Sequence, residues 1–590
     1  MTPALAAAAK NIRNAAGEMN RRKRYILYRI SLVLFSAMLL ALAFSSFNLE
    51  FLAWFALVPL LFTLEGKSTS RTVYSYTYTD ELIWAFLVAY FCGILFFAFS
   101  MYWLIYVTIT GWILLSFYQG LYFGIFGFFF CYFTKLSSSN APFRSRHRPP
   151  QRKVSSEDKG LPTLYTYFAI SSAWVILEYI RSHLGGGIGW NLLGYSQYKN
   201  LPVIQIADIT GVCGVSFLVI LMNVAVYSAI KMAIKCYKKD PKPKIKSNLP
   251  FRQELKINPV VQTLVVLLLF IVILVYGYKN ITAHRTPLTA SHAPFKISVV
   301  QGNIPQRFKW REEFIVDILN RYENLTEEAA EDNPQLIIWP ETAVPGYLNY
   351  DEILMRWTKR LVRKIKTPLL IGAPMASKSG LDTSFNSAML FSDRGVVLGR
   401  YDKLHLVAFG EFIPFEKQLP FLRKLLPITG SYIPGDEYTV FKLPTTNNQS
   451  PITNLSVLIC FEDIFPGLVR QFVKRGADFM VNITNDAWFR ESCAPYQHAA
   501  NSVLRAVENR RPFIRSTNTG LSCFIDKTGK IYERVSANGK DLFVHGAKTA
   551  SIGINKDKIL TFYTKYGDIF ILVCVIILVI DTAKRIFLTI

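Results

Sequence analysis

Apolar residues gather in long runs between residues 25 and 279 and again near the C-terminus. We predict eight membrane-spanning helices, over 25–46, 50–65, 83–106, 110–134, 163–181, 211–234, 259–279 and 566–586. Most of these runs match the roughly 20 residues that a helix needs to cross the hydrocarbon core of a bilayer. The second run is short and contains Pro59, so we expect a tilted, kinked or re-entrant segment there.

The pattern changes between about 295 and 560, where short apolar runs alternate with amphipathic stretches. The apolar runs predict strands at 297–300, 335–339, 369–372, 388–391, 455–460 and 479–483. The amphipathic stretches predict helices at 310–332, 351–366 and 466–475. This alternation is typical of helices packed on sheets.

The basic residues that give the net charge of +25 are unevenly distributed along the chain. Basic residues cluster at 21–24, in the loop 135–162 and in the loop 231–258, whereas the gap 182–210 carries only Lys199. The positive-inside rule therefore places both termini and both basic loops in the cytoplasm, and the large polar segment on the opposite side of the membrane. These basic runs are short and flank membrane spans, so we predict no nucleic-acid binding.

Four regions follow from these patterns. We expect a basic cytoplasmic N-terminus (1–24), a transmembrane domain of about seven helices (25–279), an extracytoplasmic domain (280–565) and a C-terminal transmembrane helix with a cytoplasmic tail (566–590).

Three polar residues of the extracytoplasmic domain lie at or just past predicted strand ends, namely Glu341, Lys403 and Cys460. Strand ends are where α/β folds collect chemistry. Singly, each has a structural explanation, and a buried core cysteine is the alternative for Cys460. Together they suit acyl transfer, with Cys460 as nucleophile, Glu341 as base and Lys403 as the cation that lowers the thiol pKa or binds the oxyanion.

The eight cysteines contain no CxxC pair, so no zinc site is predicted. Cys493 and Cys523 also fall in the extracytoplasmic domain, where they either form a disulfide or remain free. We expect no metal and no dissociable cofactor, because His405 and His498 have no partners at ligand spacing.

The segments around the three polar residues resemble the signature blocks of the nitrilase superfamily. These are IIWPETAVP (337–345), YDKLHLVAFGEFIPFE (401–416) and LICFEDIFP (458–466). NITNDAWF (482–489) and the segment 505–526 are similar to the downstream blocks. The resemblance implies an α-β-β-α sandwich with a Glu-Lys-Cys triad.

The membrane segments narrow this resemblance to bacterial apolipoprotein N-acyltransferases, the membrane-embedded members of the superfamily. FLAWFALVPLL (51–61), the segment 191–218 and VVQGNIPQRFKW (299–310) are similar to the membrane and domain-entry segments of that family.

Matched residue by residue, the resemblance makes Glu341 the general base, Lys403 the catalytic lysine and Cys460 the nucleophile. Glu411 then corresponds to a second glutamate that positions the lysine or contacts incoming groups. Supporting or substrate-binding positions are Trp310, Glu462 and Phe461. Phe461 departs from the family, which often has Tyr there, so a hydroxyl role is lost although a ring still packs.

The resemblance implies transfer of a fatty acyl chain from a glycerophospholipid, with phosphatidylethanolamine as the expected donor. The acceptor is the α-amino group of a diacylglyceryl-apolipoprotein, and a Cys thioester connects the two half-reactions in ping-pong order. We expect a monomer in the bacterial inner membrane with its catalytic domain in the periplasm.

Two other functions remain open on the sequence. One is a membrane-anchored nitrilase-type amidase. The eight predicted membrane spans argue against it, because an amidase would need only one anchor. The other is a non-catalytic scaffold partner of another membrane enzyme, against which the complete set of polar residues argues. Few charges lie within the spans, Glu178 being one, so a transporter is not favoured.

Overall fold

The protein is described from a computed structural model. It describes residues 3–65, 78–135, 163–237, 259–284, 295–377, 380–413, 418, 432–443, 453–554 and 559–587. Most of the basic loops predicted at 135–162 and 231–258 lie outside the described residues.

Helices form the N-terminal part of the chain and its C-terminal end. In order they are α1 (Pro3–Ala43), α2 (Val58–Leu64), α3 (Tyr78–Ser100), α4 (Ile109–Lys135), α5 (Leu164–Arg181), α6 (Leu201–Ile204), α7 (Ala207–Thr210), α8 (Val212–Tyr237) and α9 (Pro259–His284). Short 3-10 helices at Glu50–Trp54, Tyr102–Tyr106 and Leu193–Gln197 connect some of them.

All eight predicted spans contain helix, but they are not equivalent. Within the described ranges, the five helices that are long and apolar enough to cross a membrane are α1, α3, α4, α8 and α9. The 50–65 segment is a 3-10 turn followed by α2, with Pro59 in the first turn, where the missing N–H costs no hydrogen bond. The other two predicted spans are shorter helices that carry charged residues near their ends, such as Glu178 and Arg181 in α5.

The segment after α9 forms two sheets and two pairs of helices. The strands are β1 (Phe295–Gln301), β2 (Leu336–Ile338), β3 (Leu369–Ser377), β4 (Gly380–Phe391), β5 (Val397–Asp402), β6 (Phe441–Leu443), β7 (Thr453–Ile459), β8 (Phe479–Thr484), β9 (Phe513–Thr517), β10 (Cys523–Ile525), β11 (Ile531–Arg534) and β12 (Gly546–Ile552). The helices are α10 (Ile315–Glu331), α11 (Glu352–Ile365), α12 (Pro466–Lys474) and α13 (Ala494–Asn509), followed by α14 (Phe562–Tyr566) and α15 (Ile569–Phe587).

The strand order is β12-β1-β2-β3-β4-β5 in one sheet and β11-β10-β9-β8-β7-β6 in the other. The sheets face each other, and Ser516 of β9 donates its hydroxyl across the gap to the carbonyls of Val300 (3.3 Å) and Ile338 (3.1 Å). Helices α10 and α11 pack on the first sheet, and α12 and α13 pack on the second. This architecture is the predicted α-β-β-α sandwich, in which parallel strands are buried on both faces.

The sandwich is joined to the helical bundle through one continuous apolar core. Buried side chains of the bundle, such as Leu218, belong to the same cluster as Leu458 of β7 and Leu504 of α13. A second cluster lies separately between the first sheet and α10 and α11. The α-β-β-α sandwich therefore rests on the bundle through the α12–α13 layer.

Polar contacts fix the orientation of this junction. Arg510, directly after α13, donates to Asp208 of the bundle at 2.6 Å and also to Gln205 at 2.5 Å. Glu508 accepts the backbone N–H of Val212 at 2.9 Å, at the start of α8. Each buried charge thus has a partner across the junction, as burial of charge requires.

We predict that Arg510→Leu destabilises the protein by about 3 kcal/mol, because it leaves the Asp208 carboxylate buried with fewer donors. Thermal unfolding of the purified protein in detergent measures the effect. The matched control is Arg534→Leu, which removes an exposed pair with Asp541 (2.8 Å) and should cost at most about 1 kcal/mol. Equal unfolding temperatures for the two variants would contradict this account of the junction.

Candidate active site

The three sequence-predicted residues meet at one edge of the sandwich. Glu341 follows β2, Lys403 follows β5 and Cys460 follows β7. The Lys403 Nζ atom lies 4.0 Å from Glu341 Oε1, and both side chains interact electrostatically with Cys460. Strands from both sheets therefore deliver a carboxylate, an ammonium and a thiol to a common point.

Glu411 completes the surroundings of the lysine. Its two carboxylate oxygens accept from Lys403 Nζ at 2.9 and 2.8 Å. Asn386 of β4 donates its amide to Glu341 (2.7 Å) and to Glu411 (3.0 Å). Burial alone would lower the pKa of Lys403, but Glu411 and Glu341 outweigh it and raise the pKa. Lys403 therefore remains a fixed cation.

Cys460 lies on a sharp turn between β7 and a short 3-10 helix (Cys460–Ile464), with a φ of 55°. A non-glycine residue in this left-handed region is strained. Its carbonyl accepts from the Asn482 amide at 2.9 Å and from His498 Nε2 at 3.2 Å. The turn places the residue beside Glu341 and Lys403, where it is partly buried against the apolar core.

The support beneath this turn is a charged cluster. His498 lies 2.9 Å from Asp486 and 3.2 Å from Asp463, and Arg515 lies 2.8 Å from Asp463. Burial alone would lower the pKa of His498, but Asp463 and Asp486 outweigh it and raise the pKa to about 9. The imidazolium is thus paired, although Asp463 and Asp486 stand at no recognisable spacing from His498 in the sequence.

The environment of the sulfur favours a thiol at rest. Burial raises the pKa of Cys460 well above that of a free thiol, Glu341 raises it further, and Lys403 opposes both. Formation of the nucleophilic thiolate therefore needs a base and a cation at the same place. Glu341 and Lys403 are groups of those two kinds.

Glu462 ties the parts of the site together. Its buried carboxylate accepts from the Tyr401 hydroxyl (2.8 Å), from the N–H groups of Leu404 (2.7 Å) and His405 (3.0 Å), and from Ile459 (2.7 Å). It thus links the strand end that carries Lys403 to the strand end that carries Cys460.

Phe461 and Trp310, the two aromatic residues predicted to support the site, have different surroundings. The Phe461 ring is parallel to Trp190 of the bundle, with centroids 6.5 Å apart, and packs on Phe465 at 5.5 Å. Trp310 is 51% exposed. Trp190 also donates a hydrogen bond to Gln497 of α13 (3.0 Å). The 182–192 loop, which carries Trp190, therefore covers Phe461, the residue next to Cys460.

Lys309 is a further residue near the thiol that the sequence analysis overlooked. Its side chain is buried and interacts electrostatically with Glu341 and Cys460. Its position next to Trp310, in a segment already singled out by resemblance, was the available signal.

Cys493 and Cys523 are free in the structure, as are the other six cysteines. The disulfide left open by the sequence is therefore not formed.

The left-handed turn at Cys460 predicts an unusual order of stability. Cys460→Gly should be more stable than Cys460→Ala by about 1 kcal/mol, because glycine relieves the positive φ. Thermal unfolding of both variants measures the difference. At Cys523, which lies in β10 and has no positive φ, the order should be reversed, since glycine weakens a strand interior. An alanine variant at 460 that is the more stable of the two would show that the turn is unstrained.

Comparisons with known proteins identify the family to which the chain is similar. Residues 36–225 match the family model for the apolipoprotein N-acyltransferase N-terminal domain, and residues 296–553 match the carbon-nitrogen hydrolase model. The apolipoprotein N-acyltransferase of Geobacter metallireducens is 35% identical over 546 residues, which cover 92% of each chain. That of Chlorobaculum tepidum is 30% identical over 566 residues, covering 92% of this chain and 94% of the other.

Among solved structures, an amidase from Nesterenkonia sp. is 17% identical, with a TM-score of 0.33, covering 48% of this chain and 95% of the amidase. The two family models and the full-length relatives together establish that this chain belongs to the apolipoprotein N-acyltransferase family.

Proposed function

We propose that this enzyme transfers a fatty acyl chain from a glycerophospholipid to the α-amino group of a diacylglyceryl-apolipoprotein through a thioester on Cys460. The observation that carries the proposal is the convergence of Glu341, Lys403 and Cys460, with Lys403 Nζ 4.0 Å from Glu341 Oε1. Such a site sits against a helical bundle whose loop covers the residue beside the thiol.

In the first half-reaction, the Cys460 thiol transfers its proton to the Glu341 carboxylate as the sulfur attacks the ester carbonyl of the phospholipid. The oxyanion of the tetrahedral intermediate forms beside the Lys403 ammonium, which stabilises it electrostatically. Collapse breaks the C–O bond, and the leaving alkoxide takes the proton back from Glu341. A lysophospholipid departs and the acyl chain remains as a thioester.

In the second half-reaction, the amine of the acceptor attacks the thioester carbonyl. Glu341 accepts the proton that the amine loses, and the same cation stabilises the second tetrahedral intermediate. Collapse breaks the C–S bond and returns the proton to the sulfur. The product is an N-acylated lipoprotein, and kinetics of the ping-pong type follow because the first product leaves before the amine binds.

The membrane domain makes this chemistry feasible for lipid substrates. Moving an acyl chain fully into water costs about 0.8 kcal/mol per CH₂, so the catalytic site has to lie at the bilayer surface. Exposed aromatic side chains lie in segments that carry site residues, namely Phe409 in the loop with Glu411 and Trp488 two residues after Asp486. These apolar groups suit a lipid-facing entrance.

The basic segments support the orientation proposed from the sequence, with both termini in the cytoplasm and the catalytic domain in the periplasm of a bacterial inner membrane. Phosphatidylethanolamine is the proposed donor. The α12–α13 surface of the sandwich is occupied by the bundle, which is consistent with a monomer.

A membrane-anchored amidase would use the same three residues with water as acceptor, and a scaffold would not use them at all. The covering of the site by the 182–192 loop favours the acyltransferase over the amidase, because a small soluble amide needs no membrane-bound entrance. The buried Lys403 between Glu341 and Glu411 favours an enzyme over a scaffold, since a decayed site would not retain a buried lysine between two carboxylates.

The test is mass spectrometry of lipoprotein N-termini in cells that depend on this gene. We predict fatty-acyl amides with the wild-type chain and free amines with Cys460→Ser, Cys460→Ala or Glu341→Gln, because each variant removes the nucleophile or its base. The matched control is Cys493→Ser, whose thiol is also partly exposed and which should retain acylation.

Acylated lipoproteins in cells carrying Cys460→Ala would favour the scaffold. Free amines in wild-type cells, together with release of ammonia from a soluble amide by the purified protein, would favour the amidase.

A further inference from the structure

The buried Lys309 side chain has no role in the mechanism described so far. It lies between β1 and the 3-10 helix Glu312–Phe314 and is 2% exposed. Its Nζ atom donates to the carbonyl of Glu341 at 3.1 Å and to the Thr342 hydroxyl at 2.6 Å. A lysine is almost never buried without a function or a compensating charge.

The charge balance of the site shows what this lysine offsets. Lys403 bonds to Glu411 at 2.8 Å but lies 4.0 Å from Glu341. The two carboxylates exceed this single ammonium by one negative charge. The neighbouring cluster of Asp463, Asp486, His498 and Arg515 contains two carboxylates and two cations, so it is balanced by itself.

Proton transfer from Cys460 to Glu341 moves the excess negative charge onto the sulfur. Lys403, engaged by Glu411, compensates this charge only in part. Without a second cation the thiolate would be an uncompensated charge in a poorly solvated place, and such charges are costly.

We infer that Lys309 is a positioning residue for the nucleophile: its ammonium offsets the negative charge that passes between Glu341 and Cys460, and its hydrogen bonds hold the turn that aims the Glu341 carboxylate. The second part follows from Thr342, which has a φ of 45° and needs support to persist. The inference rests on the proposed function, because the sulfur concerned is the proposed nucleophile.

The groups that face these side chains are few. Glu341 and Cys460 act on Lys309, and Glu341, Lys403 and Asp486 act on Cys460. Burial lowers the pKa of Lys309 to about 8, while Glu341 and Cys460 limit the fall. The side chain is therefore still cationic at neutral pH and loses its charge as the pH rises through about 8.

The experiment measures the ionisation of Cys460 directly, in the full-length protein in detergent micelles. Iodoacetamide alkylation of the Cys460 peptide is followed by mass spectrometry across the pH range in which thiols titrate. Cys493, in the same spectra, serves as the internal reference, because its pKa has no contribution from Lys309.

We expect Lys309→Met and Lys309→Gln to slow the alkylation of Cys460 about tenfold at pH 7, where the wild-type lysine is charged, and the difference from the wild type to shrink as the pH rises through about 8. Lys309→Arg stays charged at every pH tested and should be alkylated at least as fast as the wild type. Lys364→Met, which removes an exposed lysine of α11, should change nothing.

Wild-type alkylation rates at pH 7 in the neutral variants would overturn the inference, and so would slower alkylation of Lys309→Arg. The arginine variant decides the question by itself if the neutral variants do not fold. A purely structural role would slow alkylation by the same factor below and above pH 8, and that result also overturns the inference.

Alkylation needs no lipid, so the two proposals fail separately. Alkylation at pH 7 that depends on the charge of Lys309, in a protein that acylates no lipoprotein, would contradict the acyl transfer and leave the role of Lys309 intact. Acyl transfer together with unchanged alkylation rates would do the reverse.

Discussion

The buried ammonium of Lys403, bonded to Glu411 and close to Glu341, is the interaction on which the site depends. Burying a cation is costly. Two carboxylates stabilise this one, Glu411 from a separate loop and Glu341 from the end of a separate strand. Because Glu462 ties the Lys403 strand end to the Cys460 strand end, the ammonium, the carboxylate and the sulfur keep one geometry. The strained turn at Cys460 is tolerated because the hydrogen bonds of Glu462, Asn482 and His498 hold its backbone in place.

The helical bundle contributes to the site as well as anchoring it. Helix α13 is buried between the second sheet and the bundle, and it carries His498 toward Cys460 and Gln497 toward Trp190. One apolar core runs through both halves. The sandwich is thereby held at a fixed orientation to the helical bundle, as the proposed chemistry on two acylated substrates requires. In the proposed reaction, loss of this junction would separate Glu341, Lys403 and Cys460 from the lipid substrates.

Much of the fold was predictable from local patterns in the sequence. Long apolar runs predicted the helices, and β1 to β4, β7 and β8 follow buried apolar segments. Strand β5, which delivers Lys403, was not predicted because it is a half-exposed edge strand without an apolar run. The roles of Lys309 and His498 depend on burial and on partners from other elements, so no local pattern reveals them. The resemblance to a family supplied Glu411 and Glu462, but only the structure shows that Glu462 acts as a tie between strand ends.

The central claim is that a single sulfur carries the acyl chain between two substrates. The most direct measurement incubates the purified enzyme with a phospholipid labelled in its acyl chain and no acceptor, then maps the label by peptide mass spectrometry. The account predicts one labelled peptide, which contains Cys460. Hydroxylamine should release the label because it cleaves thioesters, and an acceptor peptide with a free lipidated amine should also remove it. Label on another residue, or a Cys460 peptide that stays unlabelled while the enzyme forms N-acylated product, would contradict it.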